Sequence, residues 1–487
     1  MKYFNPKLNL GSNYSEPIPI LFYKDEGYRS NKAITIFFGG IYRMPIKPKD
    51  VHKSIAKYML ADGLSLVLDL KKSKGCRLYD SRTEQYLLDC FSFFATAPLG
   101  CNHPKLTTQD FLKKLGEAAV NKPSNSDIYT VEMAEFINNF ARYVVPNYFK
   151  HLFFISGGAL AVENSLKTAF DWKIRKNIIR GKGENLGNQV IHFKEAFHGR
   201  TGYTLSMTNT FNLDKIKYFP KFAWPRIINP KIQFPLRQEN LKRVKELEKQ
   251  AELEIKTSVE NNPDDIAALI IEPIQGEGGD NHFRKEFFHS LRRICDKNEI
   301  MFILDEIQTG VGLTGKMWAY QHFDFQPDIL AFGKKTQVCG IMVNSRVDEV
   351  HDNVFNISNR LNSTWGGKLI DMIRCKKYLE VIKEENLINN AAVQGKRLLK
   401  GLNELSQKYP NTVSNARGLG LMCAFDLPTP QERDELKQQL YTNKLLVLSC
   451  GVKTIRFRPP LIITPEEIDE ALTIIDKTVY DFKKVIK

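Results

Sequence analysis

Between about residues 105 and 370, short apolar, β-rich runs alternate with longer segments of helical period: HLFFIS, QVIHFK, AALIIEPI, MFILDE and DILAFG. Runs of this kind lack the in-out alternation of a half-exposed strand, so both of their faces must be covered. Strands alternating with helical segments satisfy that need as a mostly parallel sheet with helices on both sides, which is an α/β fold. The last hundred residues change character. Helical patterns around 376–408 and 431–441 are followed by strand-like LLVLSC and TIRFRPP, which predicts a smaller α+β unit. In open α/β sheets a ligand sits beyond the carboxyl ends of the strands. The polar residues directly after the apolar runs are therefore the candidates for chemistry.

Composition narrows the classes of function. A 43% hydrophobic content over 487 residues supplies sizeable cores. The net charge of +15 is spread along the chain and no nucleic-acid-reading motif accompanies it, so it reads as a solvated basic surface and no nucleic-acid partner is expected. The eight cysteines form no CxxC pair, which excludes a zinc knuckle and a disulfide framework. No His/Cys/Asp cluster has metal spacing, so no metal is expected. The apolar stretch from Ala33 to Tyr42 falls far short of a membrane span, and Ile18 to Tyr23 is too short for a signal core. A soluble, cytoplasmic protein with no membrane partner is the expectation. Residues 1 to about 48, rich in Asn, Pro, Tyr and Lys, read as an irregular leading segment with no assigned chemistry.

Three segments carry candidate chemistry. In FISGGALAVEN a strand runs into Gly157 and Gly158 and then a helical pattern, which is expected to end near Lys173, Arg175 and Lys176. A strand, a glycine pair and a helix N-terminus can hold an anion, although a tight turn using glycine for its freedom fits equally well. In MFILDEIQTG four apolar residues deliver Asp305 to the end of a buried strand. A carboxylate there needs a partner, either a protonated ring nitrogen or the start of the next helix. In PDILAFGKKTQVCG another apolar strand ends on Lys334 and Lys335. Desolvation at such a strand end lowers a lysine pKa, and the neutral amine is the form that makes a Schiff base.

Together these segments resemble the fold-type I, class III aminotransferases from about residue 50 to the C-terminus. The resemblance is nearest to the L-lysine 6-aminotransferase group, in GGALAVEN, AFHGR, EPIQGEGGD, DEIQTG, AFGKKTQVCG, RLNSTWGG and RFRPP. It implies pyridoxal 5'-phosphate as cofactor, with Lys334 as its covalent attachment and proton shuttle and Lys335 as a bystander. Asp305 pairs with the pyridine nitrogen, Gln308 with the ring hydroxyl, and Phe197 stacks on the ring. Gly158 and Ala159 take the phosphate, joined by Thr364 from the second subunit of a homodimer. The substrates implied are L-lysine and 2-oxoglutarate. Arg200 and Asn362 fall in its substrate-binding set, Arg200 for the distal carboxylate, and Glu277 covers Arg456 whenever the amine donor lacks a carboxylate beside the reacting carbon. His198 is expected to be structural. The resemblance also divides the chain into an extension (1–48), the N-terminal part of a small domain (49–104), a large cofactor-binding domain (105–374) and the rest of the small domain (375–487). Other ω-amino acid aminotransferases, with ornithine, 4-aminobutyrate or diaminobutyrate as donor, and mutases or racemases on the same scaffold are the competing activities. A non-enzymatic anion binder is the alternative outside the family.

Overall fold

The structure, a computed structural model, describes residues 46–485, so most of the irregular leading segment and its two apolar runs lie outside the described residues. The chain divides into two compact units, Met1–Ala61 and Asp62–Lys487. In the described part of the first, a 3-10 turn at Pro48–Asp50 leads into a short helix, Val51–Ile55. All the elements that follow belong to the second.

The apolar runs form one seven-stranded sheet: β1 (Phe149–Ile155), β2 (Gln189–Phe193), β3 (Arg226–Ile227), β4 (Ile266–Ile271), β5 (Met301–Asp305), β6 (Ile329–Phe332) and β7 (Cys339–Asn344). Their spatial order is β1-β7-β6-β5-β4-β2-β3. Strands β6, β5, β4, β2 and β3 pair in parallel, and β7 runs antiparallel to both β6 and β1. The reversal follows from chain length. Only residues 333–338 join β6 to β7, too few for the crossover that a parallel neighbour requires. Every residue of β4, β5 and β6 is buried, as expected of strands covered on both faces.

This topology gathers the candidate residues at one edge. Ala331 of β6 lies opposite Asp305 of β5, so Asp305 and Lys334 leave neighbouring strands at the same end. Ile155 of β1 pairs with Cys339 at the start of β7, which brings Gly157 and Gly158 to that edge too. The helix after β1, α1 (Gly158–Ile179), outruns its expected end. Lys173 is a core residue, 3% exposed, whose Nζ donates to the Glu299 carbonyl at 3.0 Å. Lys176 is the cation of the last turn.

Among the described residues the remaining strands form a four-stranded antiparallel sheet (Ser414–Leu419, Met422–Asp426, Thr454–Phe457, Leu448–Cys450), a three-stranded one (Arg77–Asp80, Gln85–Asp89, Leu445–Leu446) and a two-stranded one (Ile274–Gln275, Asn281–His282). Two readings need correction here. The run LLVLSC is split between the first two of these sheets, Leu445–Leu446 pairing with Gln85–Asp89 and Leu448–Cys450 with Thr454–Phe457. The helical stretch 376–408 is two helices, Leu369–Glu384 and Leu387–Lys408, broken where Asn386 takes a left-handed φ of 52°. Asn visits that conformation more readily than most residues.

Close backbone approach makes one sheet position intolerant of any side chain. A Cβ on Gly340 of β7 would stand 2.2 Å from the Phe153 carbonyl oxygen of β1 and 2.7 Å from the Phe332 ring. Gly340→Ala is expected to cost about 1–3 kcal/mol through overpacking and to lower the thermal unfolding midpoint. An unchanged midpoint would contradict the strand spacing described.

Candidate active site

A cavity of about 510 Å³ opens at the carboxyl edge of the sheet, walled by Gly158, Ala159, Phe197, Glu277, Asp305, Gln308 and Lys334 among others. The structure thus brings seven of the sequence-predicted residues to one place. Arg456 stands behind Glu277 and contacts it. Arg200, Asn362 and Thr364 are exposed and do not line the cavity of the single chain. Asn362 donates from its side chain to Asn359 Oδ1 at 2.8 Å, and the Thr364 carbonyl accepts from Ser126 at 3.5 Å.

One end of the cavity is built for an anion. Gly157 has φ +105°, a backbone few side-chain-bearing residues adopt, and a Cβ there would meet nothing within 4 Å. The glycine therefore serves the turn while leaving the space in front of it open. The first amides of α1, on Gly158 and Ala159, have no carbonyl in a preceding turn to bond. Twenty-two residues of helix stand behind them with their dipole aligned.

Asp305 sits on the cavity wall, 5% exposed, with both oxygens engaged. Oδ1 accepts from the Ile307 amide at 3.1 Å, and Oδ2 lies 2.9 Å from His198 Nδ1. The turn-capping role and the partner-holding role are thus compatible, because a carboxylate has lone pairs for both. His198, read from the sequence as structural, is 2% exposed and buttresses Asp305, while its Nε2 is buried without a partner. The neighbouring Glu306 fixes the turn itself, accepting from the amides of Ala319 (2.9 Å) and Tyr320 (2.8 Å).

Gln308 is oriented by a residue that sequence reasoning passed over. Its Oε1 accepts from Arg458 Nη2 at 3.0 Å, which leaves the amide Nε2 as the donor free to face the cavity. Arg458 is 1% exposed and ion-paired with the equally buried Asp280. A signal existed: Arg456 and Arg458 are two apart on one strand run, the spacing that points both side chains to the same face.

Lys334 opens the turn after β6 with φ 53°, a left-handed backbone in a residue with a Cβ. Such strain persists only where the surroundings hold it, and functional sites are its usual place. Burial, with Arg456 and Arg458 nearby, lowers the Lys334 pKa from the ordinary 10.5 to about 8, against the opposing pull of Asp305 and Glu272. Lys335, 2% exposed, points the other way. Its Nζ donates to the Gln308 carbonyl at 2.6 Å and the Ala95 carbonyl at 3.5 Å, so it ties the Asp305–Gln308 turn to the residues beneath it. It is a positioning residue rather than an idle neighbour. Glu272, the carboxylate that ends the β4 run as Asp305 ends β5, also lines the cavity and was not singled out from sequence. Burial raises its pKa to about 7, and it accepts from the Phe197 amide (2.9 Å) and the Gly276 amide (3.0 Å).

At the mouth, Ile274–Gln275 pairs with Asn281–His282 to close the glycine-rich loop that carries Glu277. The Glu277 carboxylate lies 3.4 Å from Arg456 Nη2. Arg456 is 3% exposed, and its Nε and Nη1 are buried without partners, which leaves donors suited to an incoming carboxylate. A site with an anion cradle, a carboxylate for a ring cation, a lysine of lowered pKa and a covered arginine can bind an anionic aromatic carbonyl compound and process an amine beside it.

The Lys334 environment makes a measurable claim. Labelling of Lys334 by an amine-reactive reagent is expected to be half-maximal near pH 8, since the free amine already predominates between there and 10.5 where an exposed lysine stays protonated. Removing a nearby cation, as in Arg456→Met, is expected to move that midpoint upward. A midpoint above pH 10 in the unsubstituted protein would contradict the electrostatics described.

Comparison with known proteins places this geometry. Residues 58–479 match the family model for class-III aminotransferases. The L-lysine-epsilon aminotransferase of Mycobacterium tuberculosis is 51% identical over 432 residues, 88% of this chain and 95% of that protein. That of Amycolatopsis lactamdurans is 47% identical over 435 residues, 88% of this chain and 96% of that protein. The solved structure of lysine aminotransferase from M. tuberculosis in the internal aldimine form superposes with a TM-score of 0.87 at 50% identity, covering 90% of this chain and all of that one. With the family model matched over residues 58–479 and half of its residues shared with such a relative, this chain belongs to the class-III aminotransferases.

Proposed function

We propose that this protein transfers the ε-amino group of L-lysine to 2-oxoglutarate, giving L-2-aminoadipate 6-semialdehyde and L-glutamate. The observation that carries the reading is the Glu277–Arg456 pair at the mouth of the Lys334 cavity, in a chain 51% identical to an L-lysine-epsilon aminotransferase. A covered arginine serves an enzyme whose two substrates differ in whether a carboxylate adjoins the reacting carbon. Mutases and racemases, which take no external keto acid, have no such need.

Pyridoxal 5'-phosphate is the cofactor, and when bound it supplies an aldehyde that exchanges amino groups and a cationic ring that accepts electrons. The residues present fit it. The Gly158 and Ala159 amides would hold its phosphate, Asp305 its ring nitrogen, Gln308 Nε2 its ring hydroxyl and Phe197 its ring face, with Lys334 as the covalent attachment. Lys334 Nζ, with a pKa of about 8, is neutral often enough near neutral pH to take a proton from the carbon bearing the amino group, and would pass it to the cofactor's aldehyde carbon, C4′. Asp305, braced by His198, keeps its carboxylate aimed into the cavity. Glu277 neutralises Arg456 while lysine presents its ε end and uncovers it for the carboxylate of 2-oxoglutarate. Arg200, which follows the cavity-lining Gly199, is assigned the distal carboxylate, and Asn362 is kept in the substrate-binding set, though neither side chain lines the cavity of the single chain.

We assign Thr364 to the phosphate of a partner subunit, and hence the protein to a homodimer. Its exposed position outside its own cavity supports that reading. We keep the division into an extension (1–48), a large domain (105–374) and a small domain built from 49–104 and 375–487. The parallel pairing of Leu445–Leu446 with Gln85–Asp89 supports it. A cytoplasmic setting is supported by eight free cysteines, which suit a reducing compartment. Among the described residues no helix is long and apolar enough to cross a membrane.

Purified holoenzyme supplied with L-lysine and 2-oxoglutarate is expected to form glutamate, and Lys334→Ala to lower kcat by on the order of 10³. Faster turnover of ornithine or 4-aminobutyrate than of lysine would reassign the donor. Full activity in Lys334→Ala would remove the reading altogether.

A further inference from the structure

The Glu277 carboxylate has two cationic neighbours, not one. Oε2 faces Arg456 Nη2 at 3.4 Å, while Oε1 accepts a shorter bond from Lys215 Nζ at 2.7 Å. Lys215 lies 62 residues earlier in the chain, at the end of a 3-10 turn, Leu213–Lys215, whose start is held by the Asn212 side chain accepting from the Asp214 amide at 3.1 Å. We infer that Lys215 is the counter-pole of the Glu277 gate: a positioning residue that holds the carboxylate when it leaves Arg456 and so sets how readily the enzyme admits its keto acid. The inference rests on the reading of Glu277 as a cover for Arg456.

The backbone beneath Glu277 leaves rotation of the side chain as the available motion. The Glu277 carbonyl accepts from the Gly451 amide at 2.7 Å. A Cβ on Gly276 would stand 2.3 Å from Gln308 Oε1, and one on Gly278 would stand 2.2 Å from the Glu195 carbonyl oxygen, so both flanking glycines are wedged against their neighbours. The pairing of Ile274–Gln275 with Asn281–His282 closes the loop at its base. A carboxylate turned off Arg456 and into the cavity would meet the carboxyl groups of Glu272 and Asp305, which also line it. Turned the other way it stays beside Lys215. Without Lys215 the cation left to Glu277 is Arg456, so the closed pair tightens and a carboxylate substrate must compete against it. The lysine side chain is 34% exposed, which leaves the pair screened and its effect graded.

Steady-state kinetics on the holoenzyme, analysed as a ping-pong reaction, give kcat/KM separately for L-lysine and for 2-oxoglutarate. Lys215→Met is expected to lower the 2-oxoglutarate value by about three- to fivefold and to leave the lysine value unchanged. Lys215→Arg restores it, and in a Glu277→Gln background Lys215→Met adds nothing. An equal fall for both substrates, no change for either, or an effect that persists in the Glu277→Gln background overturns the assignment to Lys215 while leaving the gate intact. A Glu277→Gln enzyme with an unaltered ratio of the two values overturns the gate itself, and the role of Lys215 with it.

Discussion

Strands β4, β5 and β6 are buried on both faces along their whole length, and that constraint organises everything else in the molecule. A strand with no solvent-facing side can carry polar groups only where it ends, because an unpaired charge within it would cost far more than the fold can spare. Parallel pairing then puts equivalent ends on one edge. Glu272, Asp305 and Lys334 follow or close three adjacent strands, and the six-residue return from β6 into β7 presents Lys334 at the same edge. The cavity forms where apolar cover stops and backbone direction has collected the chain's reactive groups.

Burial at that edge acts differently on neighbouring side chains of one type. Lys334 and Lys335 are adjacent in sequence and both are desolvated, yet one faces the cavity and the other bonds two backbone carbonyls. The left-handed backbone at Lys334 sends the two amines apart. Among the arginines, Arg456 is left with unpaired donors beside the Glu277 carboxylate, and Arg458 is closed off by Asp280 and Gln308. A lysine of lowered pKa facing the cavity, an arginine with donors left over and an arginine closed into a network are therefore three products of one desolvated wall.

The strand runs were legible because periodicity is a local property, and so were the residues that end them: Asp305, Lys334 and the Gly157–Gly158 turn. The α1 boundary was misjudged because Lys173 looks like a helix-end cation until the Glu299 carbonyl is seen above it. The single strand expected at LLVLSC failed for a related reason, since its two halves are claimed by different sheets. Lys215 carried no signal at all, being one of two lysines among the mixed apolar and charged residues of FNLDKIKYF.

What the sequence by itself determined is the fold class and the chemical inventory at the strand ends, through apolar period and the cost of burying a lone charge. Tertiary structure alone decided the pairings that turn an inventory into a site: His198 with Asp305 across 107 residues, Arg458 with Gln308 across 150, and Glu277 with Lys215 across 62. Each contact depends on where strands and loops far apart in the chain come to rest, and no local pattern encodes such a distance.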